Sequence, residues 1–118
     1  MILLVDDEED VRFMLSLYLE DAGVEWEEAV SGEDALARAK ERLYDMILLD
    51  NRMPPGMTGI EVAETMRSGG SEIPIVLYSA YLDPATEDRA HALGLQTVDK
   101  GEPDRLVQLV QAELAGAQ

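Results

Sequence analysis

Met46-Ile47-Leu48-Leu49-Asp50 is apolar for four residues and stops on a carboxylate, and Asn51-Arg52-Met53-Pro54-Pro55-Gly56 follows. A short, continuous apolar run closed by turn residues reads as a strand buried on both faces, the pattern of a parallel sheet. Its last residue then stands at the carboxyl edge, where open α/β folds bind their ligands. An isolated Asp in such a place usually just starts a turn. The other strand ends shift that reading for Asp50.

Working outward toward the N-terminus, Glu33 to about Leu43 is predicted as a helix capped by Ser31, with Ala35, Leu36 and Ala39 turned inward. Val24 to Ala29 alternates weakly between Gly23 and Ser31-Gly32, which predicts an edge strand blunted by its charges. Trp26 on it is expected to be partly buried. Ile2-Leu3-Leu4-Val5 is a first buried strand ending at Asp6-Asp7. The helix after it opens on Glu8, Glu9 and Asp10, acids favoured by the helix dipole, and ends at Gly23. Val11, Met14, Leu15, Tyr18, Leu19 and Ala22 form its apolar face.

Toward the C-terminus, Thr58-Gly59-Ile60-Glu61 is a capping box opening a helix to Ser68, which Gly69-Gly70 stop. Ile75-Val76-Leu77-Tyr78 is a fourth buried strand leading into Ser79-Ala80. Asp83-Pro84 opens a helix to about Leu93, closed by Gly94. Leu95 to Val98 is a short fifth strand leading to Asp99-Lys100, and Glu102-Pro103 starts a last helix with Leu106, Val107, Leu109, Val110 and Leu114 as its stripe. Five strands alternating with five helices predict right-handed βαβ units and a doubly wound parallel sheet with helices on both faces.

That topology gathers Asp6, Asp7, Asp50, Ser79 and Lys100 on one edge. Crowded carboxylates raise one another's pKa unless a cation satisfies them. Oxygen ligands without His or Cys favour magnesium, which pairs readily with carboxylates and a phosphate. Lys100 supplies a point charge and Ser79 a hydroxyl for phosphoryl oxygens. A neutralised Asp is a competent nucleophile toward a phosphoryl group.

Composition narrows the rest. The 118 residues are read as one domain, with 47% hydrophobic residues to fill a single core. There is no cysteine, so no disulfide framework or thiolate metal site, and no run has the apolar length of a membrane span. Nine basic against 25 acidic residues give a formal charge of -16, which predicts no direct nucleic acid binding and no membrane association. A cytoplasmic location is expected.

Several motifs together resemble the receiver domain of two-component response regulators, over essentially the whole chain. They are Leu3-Leu4-Val5-Asp6-Asp7-Glu8, Ser31-Gly32-Glu33-Asp34-Ala35-Leu36, Ile47-Leu48-Leu49-Asp50 with Met53-Pro54, Ile73-Pro74-Ile75-Val76 to Ser79-Ala80, and Lys100. The resemblance implies a flavodoxin-like sheet of order 2-1-3-4-5, as in the chemotaxis receiver, and a single receiver domain over 1–118. It implies that Asp50 takes a phosphoryl group from a sensor histidine kinase or phosphotransfer protein. Asp7, Asp50 and the Arg52 backbone carbonyl would hold Mg2+, Asp6 would help through water, and Ser79 and Lys100 would bind the phosphoryl oxygens. Such a domain catalyses only its own phosphorylation and dephosphorylation, and switches the binding of an output partner.

Three features depart from the family pattern. Gly101 follows Lys100 where proline is usual, which predicts a looser loop; Thr97 stands where a switch aromatic is usual; and the loop 54–59 is one residue longer. Tyr81, the aromatic just past Ser79, is the candidate to report phosphorylation in place of residue 97, against the alternative that no aromatic switch exists. Two other classes compete. Haloacid-dehalogenase-like phosphatases share an Asp nucleophile, a Ser or Thr, a Lys and magnesium, but have a second Asp where this chain has Arg52. A phosphorylation-independent receiver-like binding module usually lacks an acid or the lysine. His91 is read as surface and the six methionines as core filler, with Met53 and Met57 as candidates for a partner surface.

Overall fold

The computed structural model describes residues 1–80 and 82–116. Tyr81 therefore lies outside the described residues. The elements are β1 (Ile2–Val5), α1 (Glu9–Asp21), β2 (Trp26–Ala29), α2 (Gly32–Glu41), β3 (Met46–Asp50), α3 (Gly59–Ser68), β4 (Ile75–Ser79), α4 (Pro84–Ala92), β5 (Gln96–Asp99) and α5 (Pro103–Gly116). All strand pairs are parallel, in the order β2-β1-β3-β4-β5, so β2 is an edge strand as expected and β5 is the other edge.

Alternation along the strands divides the core into two layers. Leu3, Val5, Ile47, Leu49, Ile75 and Leu77 face one side, where Ala35 of α2, Ile60, Val62 and Ala63 of α3 and Ala90 of α4 cover them. Ile2, Leu4, Met46, Leu48, Val76, Tyr78 and Val98 face the other, beneath Leu15 and Leu19 of α1 and Leu106 and Val110 of α5. Both faces of β1, β3 and β4 are thus dry, which is why these strands read as unbroken apolar runs.

Two strand starts differ from expectation for one reason. The Val24 N–H donates to the Leu19 carbonyl, and Gly23 beneath it has φ 74, so Val24 belongs to the closure of α1 and β2 begins at Trp26. Leu95 does the same for α4 through Ala90 and Gly94, at φ 75, leaving β5 to begin at Gln96. Helix α2 stops at Glu41, two residues early, and Leu43 beyond it is 95% exposed.

Two apolar assignments also change. Met14 is on the exposed side of α1, with Phe13 and Leu17, rather than in its buried stripe. Met53 is buried in the core between the sheet and α3, so it cannot line a partner surface. His91 is exposed, as expected.

Candidate functional site

The sheet register builds the site before any side chain is considered. Val5 pairs with Leu49, so the next step sets Asp6 beside Asp50, and Asp50 in turn pairs with Tyr78. One row on the α1/α5 side therefore carries Asp6, Asp50 and Tyr78 in sequence. Asp6, Asp50 and Ser79 are the buried polar side chains among the described residues.

Asp6 is held from all directions. Its Oδ1 accepts the Glu8 N–H at 2.8 Å, its Oδ2 accepts the Tyr78 hydroxyl at 2.9 Å, and its carbonyl accepts Arg12 Nη1 at 2.7 Å. Arg12 is itself fixed through Nε to Glu28 at 2.9 Å, and Glu28 also accepts from the Trp26 indole at 3.3 Å.

Asp50 is 1% exposed, and neither of its oxygens accepts a well-directed hydrogen bond from the described residues. Lys100 Nζ lies 3.3 Å from Oδ2 of both Asp50 and Asp6. Burial, then the neighbouring Asp6 charge, push the Asp50 carboxyl up to about 6, with Lys100 pulling the other way. Burial works against the Lys100 ammonium, but Asp50 and Asp6 outweigh it and raise the lysine above its ordinary value.

The loop to α3 is clamped close to Asp50. The Gly59 N–H donates to the Asn51 carbonyl at 2.9 Å, and the Ile60 N–H donates to Asn51 Oδ1 at 3.1 Å. A Cβ at Gly59 would collide with the Asp50 carbonyl, so only glycine lets α3 start this near. Thr58 and Glu61 form the expected capping box. The longer loop is tied to α2 by Glu33 Oε1, which accepts the Met57 N–H at 2.8 Å.

The β5–α5 loop is hydrogen-bonded on both sides of Gly101. The Lys100 N–H donates to the Ser79 carbonyl at 3.0 Å, the Gly101 N–H to Asp99 Oδ1 at 2.7 Å, and the Glu102 N–H to the Asp99 carbonyl at 3.0 Å. A side-chain carboxylate and a turn thus do the fixing that proline would do.

The acids do not gather quite as predicted. Asp6, Asp7 and Glu8 each bring a carboxylate oxygen within 4.8 Å of the others, and Asp7 and Glu8 are exposed. Asp50 is joined to this group through Lys100. Arg52 is exposed at the head of the loop. The donor set is all oxygen, and the buried Asp50 carboxylate accepts no well-directed hydrogen bond among the described residues, so the residues suit a hard divalent cation.

Glu8, Arg12 and Tyr78 were not singled out by sequence. Tyr78 did carry a signal: a hydroxyl at the end of a strand buried on both faces needs a polar partner.

A flavodoxin-like α/β domain with an acid-lined carboxyl edge is therefore defined by structure alone. The response regulator receiver domain, as a family model, matches residues 2–111, and the chain belongs to that family, a signalling domain of two-component systems. It is 43% identical over 79 residues to the transcriptional regulatory protein ResD of Bacillus subtilis, covering 67% of this chain and 32% of ResD. The chain thus spans about a third of the length of the curated relatives it matches. The chemotaxis protein CheY4 of Vibrio cholerae superposes with a TM-score of 0.82 at 34% identity, over 94% of this chain and 95% of CheY4. The response regulator TrrA of Thermotoga maritima, solved in complex with Mg2+–BeF, gives 0.84 at 33% identity, over 95% and 96%.

Proposed function

We propose that Asp50 is the phosphoacceptor of this receiver domain, and that residues 1–118 act as one receiver unit. The observation carrying this reading is the buried Asp50 carboxylate without directed hydrogen bonds, next to the Lys100 ammonium at the end of the central strand. A carboxylate held in water is shielded by its own solvation, whereas this one is buried with the Lys100 ammonium beside it.

An Asp50 oxygen attacks the phosphorus of a kinase or phosphotransfer-protein phosphohistidine. A P–O bond forms as the P–N bond breaks, and the imidazole leaves with the electron pair and takes up a proton. Lys100, kept protonated by the two carboxylates, turns from Asp50 to a phosphoryl oxygen, and the Ser79 hydroxyl binds another. Asp7, Asp50 and the Arg52 carbonyl would hold Mg2+, with Asp6 helping through water; Asp6 and Asp7 already bring carboxylate oxygens within 4.8 Å of each other. Bound there, the ion would offset the carboxylate charge and the negative charge on the phosphoryl oxygens. Support for magnesium comes from the oxygen-only donor set and from TrrA, whose structure includes Mg2+–BeF.

No helix among the described residues is long and apolar enough to cross a membrane, and we place the domain in the cytoplasm, with its kinase's transfer domain. The curated relatives are named as transcriptional regulatory proteins, and the domain's own part is to switch the binding of an output partner on phosphorylation.

Intact-mass measurement after incubation with a small phosphoryl donor tests the reading. One phosphoryl adduct that needs both magnesium and Asp50 is expected. An adduct retained by the Asp50→Asn protein means that the acceptor lies elsewhere.

A further inference from the structure

We propose that Tyr78 is a positioning residue for the metal site: its hydroxyl aims Asp6 at the ion, and its ring carries Lys100 between Asp6 and Asp50. This rests on the reading of the Asp6-Asp7 edge as the place where the cation is held.

A carboxylate offers about four lone-pair directions. Asp6 commits one on Oδ1 to the Glu8 N–H and one on Oδ2 to the Tyr78 hydroxyl, with Lys100 also 3.3 Å from Oδ2. One direction remains on Oδ1, and Asp6 brings a carboxylate oxygen within 4.8 Å of one from each of the exposed Asp7 and Glu8. Tyr78 thereby decides which oxygen of Asp6 faces the cation or its water.

The phenol suits this task. Tyr78 is 2% exposed and packs in the layer beneath α1 and α5, so its ring cannot swing away without opening the core. Its hydroxyl donates to Asp6 Oδ2 at 2.9 Å from this buried position. The Lys100 ammonium lies 5.4 Å from the ring centroid, within cation–π range. The hydroxyl and the ring therefore act on two different charged partners. Removing the hydroxyl alone leaves Lys100 as the side-chain donor to Asp6 Oδ2. That draws the ammonium away from Asp50 and frees the Asp6 carboxylate to rotate.

Three variants separate the effects: Tyr78→Phe, which keeps the ring; Tyr78→Leu, which loses ring and hydroxyl; and Val76→Ala, a cavity in the same layer with no atom in the site. Magnesium binding to the unphosphorylated protein, measured by calorimetry, is expected to weaken about tenfold in Tyr78→Phe, the scale of a lost hydrogen bond to a charged group. Val76→Ala is expected to lose stability with its magnesium affinity unchanged. In the metal-free protein, the ring-current shift of the Lys100 ε-methylene is expected to persist in Tyr78→Phe and to vanish in Tyr78→Leu. Unchanged magnesium affinity in Tyr78→Phe overturns the proposal, as does equal weakening in Val76→Ala. The phosphoryl adduct of the wild-type protein is scored separately. Its absence counts against Asp50 as acceptor, while the calorimetry still decides the role of Tyr78.

Discussion

Asp6 and Asp50 end neighbouring strands and are equally buried, yet their surroundings are opposite. The end of β1 is well bonded: a backbone N–H and a phenol serve the Asp6 carboxylate, and a guanidinium serves its carbonyl. At the end of β3 the Asn51 carbonyl and side chain are engaged by α3, while the Asp50 side chain has the ion pair with Lys100 and no well-directed hydrogen bond among the described residues. The difference separates a carboxylate built into the frame from one kept available. A carboxylate with hydrogen bonds to both oxygens stabilises the fold and is a poor reactant; a buried one without them costs stability and is a reactive one.

The largest effect expected from this contrast is on phosphorylation itself. Asp50→Asn abolishes the magnesium-dependent adduct seen by intact mass, whereas Asp7→Ala restores it once magnesium is raised. If the two variants respond alike to added magnesium, the acceptor and ligand roles have been wrongly divided.

Next comes the frame. Asp6→Ala strands the Tyr78 hydroxyl and the Glu8 N–H, and takes from Lys100 one of its two anions. A loss of about 3 kcal/mol in urea unfolding is expected, in the range for breaking a buried charged network. A loss below about 1 kcal/mol contradicts a structural role for Asp6.

Asp50→Asn should move stability the other way in metal-free protein. The folded carboxyl titrates at about 6, above its ordinary value, so between roughly pH 4 and pH 6 the folded state holds the proton more tightly than the unfolded one. Stability from this group is therefore present at low pH and is lost as pH rises through that window. About two units correspond to roughly 3 kcal/mol as an upper bound. Metal-free Asp50→Asn is expected to be more stable than wild type at pH 7.5 by roughly 2 kcal/mol, the gap closing toward pH 4.5. Unfolding curves at the two pH values measure this, and a gap that does not shrink on acidification rules out the carboxyl as its source.

The smallest effect belongs to the frame near Asp50. Thr58→Ala removes half of the capping box and is expected to cost about 1 kcal/mol with magnesium affinity unaltered. Thermal unfolding and calorimetry on the same samples test both halves of that statement.

The sequence made most of this legible where local chemistry decides. Met46 to Asp50 is a strand with the bounds read from its apolar run, and the α3 capping box is present as written. Val24 and Leu95 misled because each is apolar and follows a glycine, which suits a strand start and a helix closure equally; the hydrogen bonds to Leu19 and Ala90 decide. At the site, residues that end strands could be placed by topology alone. Tyr78 could not, since its bond to Asp6 joins positions 72 apart and crosses a neighbouring strand. At Gly101 the sequence showed a missing proline but not the Asp99 side chain, which accepts the Gly101 N–H.

Helices α1, α3 and α4 close with the same bond, made by the residue just after a glycine of positive φ: Val24, Ser71 and Leu95 donate to Leu19, Met66 and Ala90. In a parallel sheet these closures lie at the amino end of the strands, opposite the site. The molecule therefore has a sealed pole and an open one. Amide exchange should be slowest at the sealed pole, and a ligand that completes Asp50 should slow exchange chiefly at the other. The domain then responds to its ligand by changing how evenly its stiffness is distributed, with the sealed pole as the fixed reference against which the open one moves.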